Sequence, residues 1–233
     1  VNEYSNVTVD WAAENGRLDV IKWLVENKLG EEGCTTDAID YAAANGYLDV
    51  VEWLCYNTEE GCTVDAINWA SENGHLEIVK FLNENTDAEC TTYAMDYAAA
   101  NGYLEVVEYL HRYRYEGCTT FAMNFAAANG HLDIVEFLHE NRDEGCTELA
   151  IDLASKNGHL DIVQWLNEHR EEGYTERATA WASENNNVNI LNYLDEYRTL
   201  PPIPITPVAS PDLDLVLDTI VEQQQRLCRS YFL

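Results

Sequence analysis

The sequence predicts an all-α solenoid of seven helical hairpins followed by one amphipathic helix, and three observations carry that expectation. Gly-Cys-Thr opens closely similar segments at Gly33, Gly61, Gly117 and Gly145, all in register with a 28-residue step, and worn copies stand at Glu89 and Gly173. Asn-Gly pairs keep the same step at Asn45-Gly46, Asn73-Gly74, Asn101-Gly102, Asn129-Gly130 and Asn157-Gly158; Asn15-Gly16 lies thirty residues before the first of these, and Asn185-Asn186 is a decayed seventh copy. Between these marks run apolar residues at helical spacing. A fixed period of this size belongs to a stack in which each unit is too small to bury its own apolar face and is stabilised by its neighbours. The array is predicted over 1–199, with a proline-rich linker at 200–211 and a C-terminal amphipathic helix at 212–233.

Residues 33 to 60 serve as the type unit. Thr35 is the expected N-cap of the first helix, because its hydroxyl can accept a hydrogen bond from a free amide of the first turn. Thr63, Thr91, Thr119, Thr147 and Thr175 repeat it. Cys34 then sits before the cap and Ile39 one turn in, the two positions that close as a hydrophobic staple. Ala42 and Ala43 allow close approach of the second helix, and Gly46 supplies the left-handed residue that ends the first. Leu48, Val50, Val51 and Leu54 form the stripe of the second helix, with Asp49 in its first turn, where the helix dipole favours an acid. In the last copy the staple pair becomes Tyr174 and Thr179 and is lost.

Five of the seven cysteines, Cys34, Cys62, Cys90, Cys118 and Cys146, occupy one repeat position. Stacked helices stand roughly 8–10 Å apart, whereas a disulfide needs Cα atoms within about 7 Å. They are therefore read as buried thiols, which points to a reducing intracellular compartment, cytoplasm or nucleus. Neither a paired-cysteine motif nor zinc spacing is present, so no metal or cofactor is expected. The sequence has no apolar run long enough to span a bilayer. It opens on Val1, as a piece of a longer protein would, so an upstream targeting segment is not judged.

Forty-two acidic residues against thirteen basic ones give a formal charge of −29. Such a surface repels phosphate, so neither nucleic acid nor membrane is expected as a ligand, and it attracts basic partners. The charge also keeps a repetitive protein soluble, which by itself requires no partner.

At this point the residues resemble a known family. Ala42-Ala43-Ala44-Asn45-Gly46-Tyr47-Leu48-Asp49-Val50-Val51 is similar to the ankyrin repeat stretch A-A-x-x-G-H-x-E-V-V, and Gly74-His75, Gly130-His131 and Gly158-His159 supply its Gly-His literally. The resemblance covers residues 1 to about 199. Asp37-Ala38-Ile39-Asp40 replaces the Thr-Pro-Leu-His start, and the β-hairpin finger is about five residues short of the usual repeat. The chain resembles the short-repeat ankyrin arrays abundant in protist and large-virus proteins. The resemblance implies helix pairs stacked into a curved solenoid, first helices lining the concave side, and a structural hydrogen bond between repeats for the Gly-His imidazole.

Catalysis finds no support. The histidines fall at repeat positions, and neither a nucleophile with its base nor a phosphate loop stands out from the repeating background, so neither an enzyme activity nor a small-molecule substrate is expected. The six tryptophans occupy two repeat positions, shared with Tyr41, Tyr97, Phe125, Phe81, Tyr109, Phe137 and Tyr193; such ladders pack between repeats or form an exposed aromatic strip.

One position varies while its neighbours stay constant: Asp37, Asp65, Tyr93, Phe121, Leu149, Arg177. Helical spacing puts 37, 40, 41 and 44 on one face, expected to point to the concave side. In the fourth linker Arg112-Tyr113-Arg114-Tyr115 replaces the usual Asn-rich acidic stretch. Aromatics and arginine are enriched at binding hot spots. A partner-binding patch is therefore expected from Tyr93, Phe121, Leu149, Tyr113 and Tyr115 with Arg112 and Arg114, bordered by Asp37, Asp65, Asp96 and Asp152. The alternative is that Tyr93 and Phe121 only fill space left by the short finger.

After Tyr197 the prolines at 201, 202, 204 and 207 predict an extended segment. Ser210 and Pro211 then start a helix with Leu213, Leu217, Ile220 and Leu227 on one side, which either docks on a partner or folds back on the last repeat. Three functions follow: an adaptor- or effector-type interaction module for a basic or mixed protein surface, an acidic mimic of nucleic acid that sequesters a basic protein, and an oligomerisation element built on the tail.

Overall fold

The computed structural model describes residues 8–27 and 34–197; the predicted linker 200–211 and helix 212–233, with Leu213, Leu217, Ile220 and Leu227, lie outside them. Among the described residues there are fourteen α-helices and no strand. In order they are α1 (Thr8–Glu14), α2 (Leu18–Glu26), α3 (Thr36–Ala44), α4 (Leu48–Asn57), α5 (Val64–Glu72), α6 (Leu76–Asn85), α7 (Thr92–Ala100), α8 (Leu104–Tyr113), α9 (Thr120–Asn129), α10 (Leu132–Asn141), α11 (Leu149–Asn157), α12 (Leu160–His169), α13 (Glu176–Glu184) and α14 (Val188–Tyr197). They pair into seven hairpins.

Threonine starts the first helices as expected except at α11, which is capped one residue later by Glu148, although Thr147 Oγ1 still accepts the Leu149 amide at 3.3 Å. Thr35, Thr63, Thr91, Thr119 and Thr175 each accept, through Oγ1, the amide two residues on. At the other end Gly46 adopts φ +82°, and a Cβ there would lie 2.7 Å from Cε1 of His75 in the next repeat. That imidazole donates from Nε2 to the carbonyl of Ala44 at 3.1 Å, the inter-repeat bond the resemblance implied. Burial pushes the His75 pKa down, so the ring stays neutral and suits this single donor role.

Stacking is asymmetric. The first helices α1, α3, α5, α7, α9, α11 and α13 touch one another in succession along their length, whereas neighbouring second helices meet much less. Composition explains the difference. Ala42, Ala43, Ala70, Ala98, Ala99, Ala126, Ala127 and Ala154 are fully buried, and side chains this small let first helices approach closely. The second helices contribute the larger anchors Leu54, Leu82, Leu110, Leu138 and Leu166, each at most 1% exposed and each worth roughly 1.5–3 kcal/mol of burial.

Two polar clasps fix the spacing of first helices. At their N-terminal end, Thr63 donates its backbone N–H to Oδ1 of Asp40 at 2.9 Å and its hydroxyl to Oδ2 at 2.7 Å. Thr119 does the same to Asp96 at 2.7 and 2.9 Å, Thr175 to Asp152 at 2.8 and 2.5 Å, and Thr35 to Asp10 at 2.9 and 3.0 Å. Asn68 and Asn124 take this place in alternate repeats. Each accepts the threonine N–H on Oδ1, and each donates Nδ2 to the hydroxyl, at 3.2 Å for Thr91 and 3.0 Å for Thr147. The threonine hydroxyl suits both because it can either donate or accept. At the C-terminal end, Asn73, Asn101, Asn129 and Asn157 each donate Nδ2 to the last carbonyls of the preceding first helix, at 2.7–3.1 Å. This second clasp satisfies acceptors that a helix end leaves unpaired.

Ser71 and Ser155, in register with Ala43, Ala99 and Ala127, are fully buried and their hydroxyls have no hydrogen-bond partner among the described residues. Such an unmade bond is destabilising. Replacing both serines with alanine should therefore raise stability by about 1 kcal/mol or more per site, read from the urea midpoint; an unchanged or lower midpoint would show that water or another group satisfies them.

The clasp makes a graded prediction. Asp96→Ala leaves the Thr119 N–H without its acceptor and should cost about 1.5–3 kcal/mol, whereas Asp96→Asn, which reproduces the Asn68 and Asn124 pattern, should stay within about 1 kcal/mol of the parent.

A pH dependence follows from the same residue. Burial raises the Asp96 pKa, and the bonds from Thr119 offset that only partly. A carboxyl whose folded pKa lies above its unfolded one contributes stability that is full below the unfolded value and is lost as pH rises through the folded value. The stability of Asp96→Asn relative to the parent should therefore fall as pH falls from neutrality into the carboxylate range. A difference that stays constant over that range would refute the assignment.

Candidate functional site

The first-helix face carries a ladder of aromatic rings, built because the residue one turn after the variable position is aromatic in most repeats. Tyr41 of α3 stacks on Trp69 of α5 with centroids 5.8 Å apart and planes 8° apart. Further along, Tyr93 stacks on Tyr97 at 3.9 Å, Tyr97 meets Phe121 at 5.0 Å, and Phe121 stacks on Phe125 at 4.0 Å. These four rings form one run across α7 and α9. Trp11 and Tyr41 face solvent at 50% and 37% exposure, whereas Phe125 is 7% exposed and Leu153 3%, so the ladder is open at its N-terminal end and sealed past its middle. Beyond that, Lys156 lies 5.2 Å and Arg177 5.8 Å from the Trp181 ring centroid.

The variable position divides. Asp37 and Arg177 are exposed, and Asp65, Tyr93, Phe121 and Leu149 are half-buried. Tyr93 is held firmly: besides stacking on Tyr97, its hydroxyl donates to Oε2 of Glu72 at 2.8 Å. Burial raises the pKa of Glu72, and its hydrogen bond from Tyr93 only partly restrains the shift. Tyr93 and Phe121 thus pack against neighbouring repeats and still show an edge to solvent.

The acidic border needs correcting. Asp96 and Asp152, with Asp40, are 6%, 2% and 3% exposed, and both oxygens of each are committed to the next threonine. The face predicted from 37, 40, 41 and 44 loses residue 40, because the helix turns it into the seam between repeats. Asp37 and Asp65 remain beside the ladder, with Glu14 exposed near its open end.

The fourth linker is also corrected. Arg114 is interior: its side chain is 14% exposed, paired with Glu116 at 2.5 Å, and donates to Oδ1 of Asn83 at 3.1 Å and to the carbonyl of Ala88 at 3.3 Å. Tyr113 is 57% exposed and meets Tyr109 of the same second helix at 4.6 Å with the planes tilted by 40°, while Tyr115 is 87% exposed and Arg112 is exposed. No ring contact joins this group to Tyr93 or Phe121 among the described residues. The single expected patch divides into a first-helix group (Tyr93, Phe121, Leu149) and a group on the second helix α8 and its following linker (Arg112, Tyr113, Tyr115).

Arg114 belongs to a set that sequence reading missed. Arg142 pairs with Glu144 and Arg170 with Glu172 in the same way. Each guanidinium lies over the glycine of the preceding linker, so that a Cβ on Gly117 would collide with Arg142 and one on Gly145 with Arg170. Each also reaches the thiol of the preceding linker, Cys118 or Cys146, and Arg170 donates to Nδ1 of His139 at 3.3 Å. The hydrogen bond from Arg142 holds Glu144 below the usual carboxylate range in spite of burial. The signal was the step itself: Arg114, Arg142 and Arg170 are 28 residues apart, each with Glu two residues on.

Burial pushes the described cysteines up, Cys34, Cys55, Cys62 and Cys90 to about 11, Cys118 and Cys146 to about 12, so they are neutral thiols and poor nucleophiles near neutral pH. All six are free. Among the described residues no group of three or more His, Cys, Asp or Glu could hold a metal ion, and no helix is long and apolar enough to cross a membrane.

Comparison with known families agrees with this geometry. Models described as ankyrin repeats match residues 39–120 and 123–199 (three copies) and 9–55 (many copies). No curated protein matches the chain significantly. Fourteen helices in seven stacked hairpins, imidazoles bonded across repeats, and family matches spanning most of the sequence place this chain in the ankyrin repeat family.

Proposed function

We propose that this chain is a protein-interaction module of adaptor or effector type whose first-helix face recognises a protein partner with a basic or mixed surface. Ankyrin repeats are generally protein–protein interaction modules. The observation that carries the finer reading is the polarity of the aromatic ladder. At its C-terminal end Trp181 is covered by the chain's own cations Lys156 and Arg177. At its N-terminal end Trp11 and Tyr41 are open, and the carboxylates of Asp37 and Glu14 act on the Tyr41 ring. A ring face beside carboxylates attracts a cation, and a partner can supply there what this chain supplies to itself at Trp181. Tyr93, Phe121 and Leu149 continue the surface inward, while Tyr113, Tyr115 and Arg112 offer a second contact on the other helix layer.

The formal charge of −29 favours one rival, an acidic mimic of nucleic acid that holds a basic protein by long-range attraction alone. Affinity capture separates the two. Replacing Trp11, Tyr41 and Phe121 with alanine should weaken a captured partner by roughly 30-fold, about 2 kcal/mol, with the helical circular dichroism unchanged. A partner indifferent to these changes but released steeply by added salt would favour mimicry and overturn the surface assignment.

A further inference from the structure

The slots under the arginine braces are not all alike. Over Gly117 and over Gly145 a guanidinium from the following linker fills the space beside a cysteine, and at Gly145 it also reaches the second-helix His139. One repeat unit holds the same slot with different contents. Gly61 and Cys62 stand in register with Gly117 and Cys118, and Cys55 stands in register with His111 and His139. The following linker brings Thr86 where Arg142 and Arg170 occur, and Ala88 where Glu144 and Glu172 occur. Thr86 is too short to cross; its hydroxyl donates back to the carbonyl of Leu82 at 2.6 Å. A Cβ placed on Gly61 meets nothing within 4 Å. The result is an open cavity of about 710 Å³ lined by Cys55, Gly61, Cys62 and Thr86.

Its rim is acidic. Glu59, Glu60, Asp87 and Glu89 line the opening, all exposed, and none forms an ion pair among the described residues. The filled slots carry acids at the same linker positions, Glu116, Asp143 and Glu144 about Gly117 and Asp143, Glu144, Glu171 and Glu172 about Gly145, but each also holds an arginine, and the open slot lacks that balancing cation.

We propose that this cavity is a binding site for an arginine side chain of a partner protein, seated as Arg142 and Arg170 are seated in their own slots. The neutral thiols of Cys55 and Cys62 and the carbonyls of the 58–61 linker accept from the guanidinium, and the rim carboxylates supply the counter-charge. A planar guanidinium fits because the slot is shaped by repeats that enclose one; a lysine ammonium is a strongly hydrated point charge without the fork of donors. The cavity is larger than one side chain and admits flanking backbone. This site goes beyond the first-helix surface and uses none of its residues.

The probe is acetyl-Gly-Arg-Gly-amide, titrated into the full chain while backbone amide shifts are followed, with the lysine and citrulline peptides as controls. The arginine peptide should shift Gly61, Cys62 and Thr86 saturably, citrulline should leave them in place, and lysine should give only a weak response without saturation. Thr86→Arg with Ala88→Glu rebuilds the brace of the later repeats and should abolish the arginine response while holding or raising the melting temperature. Should that variant not fold, Gly61→Leu serves instead: Gly61 is absent from the positive-φ glycines, unlike Gly117 and Gly145, so its backbone tolerates a side chain that occupies the slot. No shift at these amides, equal response to lysine, or an arginine response that survives the filling variants would overturn the proposal. The Trp11, Tyr41 and Phe121 alanine variant should respond like the parent, so failure here and failure of the first-helix surface are told apart.

Discussion

The constraint on which the rest depends is that the amide of each threonine cap must find its acceptor on the preceding repeat. A helix N-terminus leaves backbone N–H groups unpaired. Here the threonine hydroxyl satisfies one within its own helix, and an aspartate or asparagine from the neighbouring helix satisfies the cap residue's own N–H. The neighbour thereby becomes part of the cap. A single hairpin cannot complete it, which gives nearest-neighbour stacking a directional, polar component in addition to apolar burial.

With the first helices held this closely, the side chains at their closest approach are alanine or serine, while the clasping aspartates and asparagines stand at the helix ends of the seam and aromatic groups at its margins. Aromatic side chains one turn after the variable position then fall within stacking distance across repeats, which is how Tyr97 reaches Phe121. The linkers face a different demand. They must cover the gap between second helices that stand further apart, and from the fourth repeat onward an arginine paired with a glutamate fills it. Earlier linkers carry threonines that bond back to their own helix, so space opens beside Gly61. The two candidate surfaces of this protein thus arise from one architecture, one where packing is tight and one where it is left loose.

Much of this was legible in the residues. The period, the threonine caps and the glycine helix ends follow from local rules, and the Gly-His bond from family resemblance, and each is found. Asp96 and Asp152 were misplaced because periodicity assigns a residue to a face but not to the seam between two faces; a residue at the edge of the exposed arc, like Asp40, is drawn inward by whatever donor waits in the next repeat. In the sequence the seam asparagines serve only to mark the period, although the helix end needs the glycine alone and the recurring Asn beside it calls for a second role. Arg114 stands out against the acidic linkers before it, but its structural place follows from Arg142 and Arg170 after it. Tyr113 and Tyr115 are near Tyr93 in repeat number but lie on the other helix layer, a separation that a one-dimensional pattern does not encode.

Native-state hydrogen exchange addresses the clasp most directly. The backbone N–H groups of Thr63, Thr91, Thr119 and Thr175 precede their helices and have no acceptor within their own repeat, so exchange at the rate of an unstructured peptide is what an isolated hairpin would give. The clasped array predicts protection of all four that approaches that of the helix interiors, carried by Asp40, Asn68, Asp96 and Asp152. Unprotected amides at these threonines, beside protected helices, would contradict the central role given to the seam.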